Sequence, residues 1–188
     1  FIDYDSLYKP SFTHDDCEEI GSPGFQHPMR SRKTFSKAID DYPLALIITV
    51  LNAISYDHSF ANRLNSSDHF LISPLDAIRG EDEVLDQMER LFIERGDARH
   101  YRIAHLLRSP RLALSRLRDY IAMGVREAKD VNDLQPTMYE GLWGYKEEDQ
   151  WIIPPLYNMV FEVENGLCRV ELNGRNFLLN AKGEVVNE

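Results

Sequence analysis

The chain has 188 residues and carries 31 acids against 21 lysines and arginines, a formal net charge of −10. With 43% aliphatic and aromatic residues and 28% charged ones, it has the balance of an ordinary folded protein, which argues against disorder as an overall description. A surface this acidic repels phosphate backbones and so argues against nucleic acid as a partner.

The first residues, Phe1-Ile2-Asp3-Tyr4-Asp5, read as an apolar strand ending in two acids. An opening inside a strand predicts the visible part of a longer protein, so the lack of a targeting segment carries no weight. Asp3 and Asp5 have two readings: they begin a turn, or, as carboxylates at a strand end, they are hard oxygen ligands of the kind magnesium takes beside a nucleotide. Residues 9–38 are rich in Pro, Ser, Asp and Lys and predict a long irregular segment, either functional or disordered. This segment holds the turn sequence Gly21-Ser22-Pro23-Gly24-Phe25-Gln26-His27-Pro28. The basic run Arg30-Ser31-Arg32-Lys33 follows, suited to a phosphate or an acidic partner segment, or simply solvated. Ser11, Thr13 and Ser22 are candidate phosphate acceptors.

Helix signals begin at Asp40. Asp40 or Asp41 can cap, Pro43 suits the first turn, and Leu44, Leu46, Ile47, Ile48, Val50, Leu51 and Ile54 leave no polar face. Such a helix is expected to lie buried at the centre of its domain. It is also the longest apolar run, but Thr49 and Asn52 interrupt it, and it is shorter than the roughly twenty residues of a membrane span; no membrane partner is expected. Residues 56–75 predict a short turn or helix, with Ser73-Pro74 as a break. Val84, Leu85, Met88, Leu91 and Phe92 fall on one side of a helix over 80–95, which Gly96 terminates. Further helices are expected over 98–107 and 110–129, so the reading from Asp40 to Lys129 is all helix.

Residues 132–137 have linker composition. Beyond them strands are expected over 141–146, 151–153, 159–163, 167–172 and 176–180, with tight turns at Asn165-Gly166 and Asn173-Gly174. The fold class is therefore α+β: a mostly helical domain over 1–130, then a small antiparallel β module over 131–188. Cys17 and Cys168 supply neither a disulfide framework nor a Cys-spaced zinc site, and predict reduced thiols in a cytoplasmic protein.

In order and spacing, Asp3-Tyr4-Asp5, the turn Gly21 to Pro28, and Asp40 at the head of an apolar helix resemble the large-lobe half of a protein-kinase-like domain. The resemblance implies that Asp3 binds the magnesium of ATP, with Asp5, in place of a glycine, as a second ligand. It implies that Gly21 to Pro28 closes the activation segment and that Asp40 caps helix F and reaches the loop before it. Two departures stand out: His27 replaces the alanine of Ala-Pro-Glu, and Met29 replaces the glutamate that pairs with a buried arginine, so Arg111 or Arg116 needs another partner. The glycine-rich loop, the strand lysine and the catalytic-loop Asp and Asn precede the metal-binding Asp in that family, so residues 1–188 alone are expected to transfer no phosphate. Leu142-Trp143-Gly144-Tyr145, Trp151-Ile152-Ile153-Pro154-Pro155-Leu156-Tyr157 and Asn165-Gly166-Leu167-Cys168-Arg169-Val170 are similar to a bacterial WG repeat. A second, degenerate copy follows, with Asn176-Phe177 standing for Trp-Gly.

Together the resemblances imply part of a bacterial kinase-like protein that uses ATP and magnesium on Ser or Thr when the missing parts are supplied, joined to a module that binds a protein partner. The alternative is a non-catalytic pseudokinase or scaffold whose β module is the output. No feature of the sequence sets the oligomeric state.

Overall fold

The computed structural model describes residues 20–66, 71–123 and 127–186, together with Ser11. Among the described residues the fold is α+β, with six α-helices followed by two three-stranded antiparallel sheets. They divide into two compact units: one draws on residues 1–91 and 103–118, the other on 92–102 and 119–188. No helix among the described residues is long and apolar enough to cross a membrane.

The first unit is built on α1 (Asp41–Tyr56), α2 (Ser59–Ser66), α3 (Pro74–Arg79), most of α4 (Glu83–Glu94) and the end of α5 (Ala98–Leu106). α1 turns Tyr42, Ala45, Leu46, Val50 and Ala53 into the core. Thr49 is buried with them because its hydroxyl donates to the Ala45 carbonyl at 2.8 Å. The expectation that this helix is buried all round is not met. Leu44, Ile47 and Leu51, at spacings of three and four, are 43%, 40% and 60% exposed. Apolar composition says which faces can be buried; it does not say that an element lies over each of them.

The cap expected of Asp40 is also absent: its side chain makes no capping bond, and its backbone is already helical (φ −94°, ψ −2°). The turn over 37–40 winds straight into α1, with Asp41 N donating to the Ala38 carbonyl at 3.2 Å. Ser73-Pro74 begins α3 rather than breaking a segment. Ser73 Oγ accepts from Asp76 N at 3.4 Å, and Pro74 takes the first helical position, where no N–H is needed. Asp82 ties this start to the next helix: its two oxygens accept from Ser73 N at 2.7 Å and from Leu85 N at 2.8 Å.

The helix expected over 110–129 shrinks to α6 (Leu117–Ala122). Ser109 Oγ accepts from Arg111 N at 3.1 Å, making a local turn over Pro110. Leu112 and Leu114 stand two apart, which is not a helical spacing, and of these two only Leu114 is buried. The all-helix reading of Asp40 to Lys129 therefore fails over 107–116, which is irregular.

In the second unit the end of α4 closes at Gly96 (φ +67°). Gly96 N donates to the Ile93 carbonyl and Asp97 N to the Phe92 carbonyl, so the left-handed glycine satisfies carbonyls that the helix end leaves open. A Cβ at Gly96 would come 2.7 Å from Val185 and 3.0 Å from Phe177. The strands are β1 (Gln135–Tyr139), β2 (Leu142–Glu147), β3 (Gln150–Tyr157), β4 (Met159–Val160), β5 (Cys168–Leu172) and β6 (Arg175–Leu179), paired in chain order as β1-β2-β3 and β4-β5-β6. Asn173-Gly174 forms the expected two-residue hairpin with both φ positive, and Asn165-Gly166 does the same beneath an isolated bridge. Glu140-Gly141 makes a third such turn.

β1 begins inside the stretch 132–137, whose composition is that of a linker. Its Pro136 is compatible with a strand because β1 lies at a sheet edge, where a missing N–H leaves no ladder bond unmade. β3 runs past its expected end through Pro154-Pro155. It too is an edge, and Tyr145 faces Ile153 while Trp143 faces Tyr157, so the two prolines lie in a bulge opposite Gly144. The two sheets are linked by the Tyr145 hydroxyl, 2.7 Å from the Phe161 carbonyl and 3.0 Å from that of Arg169.

Candidate functional site

Residues 20–30 form the most distinctive loop of the first unit. Gly21 takes φ +83°, and Pro23–Phe25 makes a 3₁₀ turn after Ser22. His27 then turns inward and is buried. Its Nε2 donates to the Ser109 carbonyl at 3.0 Å and its Nδ1 accepts from Met29 N at 3.1 Å, partners that assign the Nε2–H tautomer. The ring meets Tyr42 of α1 edge-on, with centroids 5.3 Å apart. One imidazole thus joins the loop, the start of α1 and the turn after α5. The Tyr42 hydroxyl is buried and has no hydrogen-bond partner among the described residues, and burial, reinforced by the charge of Asp82, pushes its pKa up.

The sequence-predicted metal ligands Asp3 and Asp5 lie outside the described residues, as does Thr13. Among the described residues no cluster of three or more His, Cys, Asp or Glu side chains could hold a metal ion. Asp40 is exposed, and the neighbouring Asp41 faces inward instead. Burial raises the Asp41 pKa, partly opposed by Arg118 at 3.7 Å and by a backbone N–H at Leu114. Ser11 and Ser22 are exposed.

Within the basic run, Arg30 is half-buried. Its Nη1 donates to the Ser31 carbonyl at 2.6 Å and to Thr34 Oγ1 at 3.3 Å, while Arg32 and Lys33 face solvent. Met29 is 65% exposed.

His100 and His105 have carboxylate partners. His100 Nδ1 lies 2.6 Å from Asp97 Oδ2, a local pair three residues apart. His105 Nδ1 lies 3.0 Å from Glu89 Oε1, in a cluster where Arg108 Nη2 reaches Glu89 at 2.8 Å and Asp86 at 2.5 Å. Sixteen or more residues separate Glu89 from His105 and Arg108, so no local spacing signals this cluster.

Sequence reasoning also missed a cavity of about 780 Å³ beside the 20–30 loop. Ile20, Pro23, Ile72, Leu75 and Val84 supply apolar wall. Among the described residues its charged side chains are those of Arg30, Arg63 and Asp82. The wall combines a loop, Arg63 of α2, the start of α3 and the first turn of α4, segments that no sequence motif connects.

Compared with known protein families, curated proteins and solved structures, the chain matches none.

Proposed function

We propose that the chain is part of a bacterial, cytoplasmic protein-kinase-like protein that transfers phosphate from ATP with magnesium to Ser or Thr, and that its second unit is a WG-repeat module for a protein partner. The observation that carries this reading is the lock made by His27. The segment with the turn pattern that ends an activation segment is held by that side chain against the helix opened by Asp40-Asp41 and against the Ser109 turn. A substrate-facing loop needs such fixed support, because phosphoryl transfer relies on positioning and charge more than on covalent chemistry. The module reading draws support from Gly144. It stands where the bulged Pro154 backbone leaves no room for a side chain, a physical reason for Trp-Gly to be followed by Pro-Pro across a hairpin. In the degenerate copy Phe177 takes the glycine's position and occupies space beside Gly96.

The test is phosphotransfer by the intact protein carrying its upstream lysine and catalytic-loop residues. Asp3→Asn is expected to lower the rate about a hundredfold or more while leaving folding intact. Unchanged transfer in that variant removes Asp3 from the mechanism.

A second reading, a non-catalytic pseudokinase or scaffold, is favoured by one observation. The side chains of Met29 and Asp40, which stand at two acidic positions of the family pattern, face solvent, and that of Asp40 makes no capping bond. Under that reading ATP with magnesium produces no thermal stabilisation of the intact protein.

A further inference from the structure

We infer that the second unit carries a site of spontaneous chemical modification: Asn165 loses its side-chain amide to the nitrogen of Gly166, and does so well ahead of Asn173, although both asparagines are exposed and both precede a glycine. The site lies apart from the kinase-like reading and does not depend on it. In the reaction the Gly166 nitrogen gives up its proton and bonds to Asn165 Cγ, ammonia leaves, and water opens the cyclic imide to aspartate or isoaspartate. No oxidant or cofactor is needed. Glycine favours the step at both turns, because no side chain shields its nitrogen.

Backbone geometry decides when the ring can close. Asn165 and Asn173 sit at φ +53° and +51°. In this left-handed region Cβ lies opposite the next nitrogen across the Cα–C bond, so the ring closes only after that bond has turned through roughly half a revolution. Each turn must open first, and the rate follows the population of its open form. The two turns are held unequally. Asn173-Gly174 is closed by the pair Leu172 and Arg175, with four further pairs of the β5–β6 ladder behind it, and Asn173 N donates to Asn158 Oδ1 at 2.9 Å. Asn165-Gly166 is closed by the isolated bridge between Glu164 and Leu167, whose two bonds measure 3.1 and 3.0 Å. Behind that bridge Phe161 N donates to the Arg169 carbonyl, which leaves Glu162 and Val163 opposite Cys168 as a bulge. The Asn165 turn therefore opens without disturbing a ladder.

The change is felt in the unit because the Tyr145 hydroxyl lies on the carbonyls of Phe161 and Arg169, one on each arm of this hairpin. A new carboxylate joins Glu162 and Glu164 on one arm, and isoaspartate adds an atom to the backbone of a two-residue turn.

The experiment is incubation of the full chain in warm, mildly alkaline buffer, folded and in guanidinium chloride, with peptide mass spectrometry following conversion at each asparagine. In the folded chain Asn165 is expected to convert at least about fivefold faster than Asn173, and in denaturant the two rates should agree within about twofold. The converted chain is expected to unfold about 2–4 °C below the unconverted one. Equal or faster conversion of Asn173 in the folded chain, a rate ratio that denaturant leaves unchanged, or an unfolding temperature that conversion does not move overturns the assignment.

Discussion

Gly144 is the residue whose missing side chain matters most in the second unit. A Cβ there would stand 2.4 Å from the Ile153 carbonyl oxygen and 2.6 Å from Pro154 backbone atoms. Backbone in a bulged strand cannot step aside as the tip of a flexible side chain can. Gly144→Ala is therefore expected to destabilise the fold by about 2–4 kcal/mol in denaturant unfolding. Gly24→Ala, with no atom within 4 Å of the new Cβ, should stay within about 0.5 kcal/mol. Equal effects of the two substitutions would remove the steric argument. The sequence displays Gly144 as part of Trp-Gly, but the reason for it lies across a hairpin, in a register shift that no local pattern reveals. Asp40 and Asp41 teach the same lesson at shorter range. Either could open the helix on sequence grounds; a one-residue difference in facing turns Asp41 inward and leaves Asp40 in water.

Among the elements, α4 and α5 were the most legible. A one-sided apolar stripe and a terminating glycine are local signals, and α4 begins and ends within a few residues of where they place it. What joins these helices was not legible. Glu89 is pulled two ways: burial acts to raise its pKa, but hydrogen bonds from His105 and Arg108, with their charges, outweigh it and hold the carboxyl below the usual carboxylate value of 4.5. A carboxyl more acidic folded than unfolded adds stability above pH 4.5 that is lost as the pH falls through its folded value. Glu89→Gln should thus lower stability near pH 7 by about 1–3 kcal/mol and flatten its decline in acid. Thermal unfolding across that pH range checks this, and an unaltered decline in the variant would exclude Glu89 as its source. β1 and the second half of β3 went unread because proline usually speaks against a strand. The inference fails at sheet edges and bulges, and whether a strand is an edge depends on the whole sheet.

For the whole molecule, the α+β class and the passage from helices to hairpins were visible in the chain's changing apolar period. How residues group into units was less so, because the second unit recruits residues 92–102 from the middle of the helical stretch. Cys168 reports on that unit. It is buried, and burial pushes its thiol pKa up to about 11. At pH 8 a thiol so placed is both protonated and shielded from reagents. In a Cys17→Ser chain, Cys168 is expected to react with Ellman's reagent only as fast as the unit opens, and denaturant should accelerate the reaction. Immediate labelling of the folded chain would show that the β5 core is open to solvent.

The lock made by His27 also has a consequence in time. Among the described residues every strand ladder joins sequence neighbours, so each of these hairpins can close as soon as it has been synthesised. His27 and Ser109 are 82 residues apart, and at about 5–20 residues per second a ribosome needs about 4–16 s to make the second partner after the first. During that interval the imidazole and Tyr42 beneath it await the turn that completes their packing, and the nascent helical unit carries an unfilled seat for several seconds of its life.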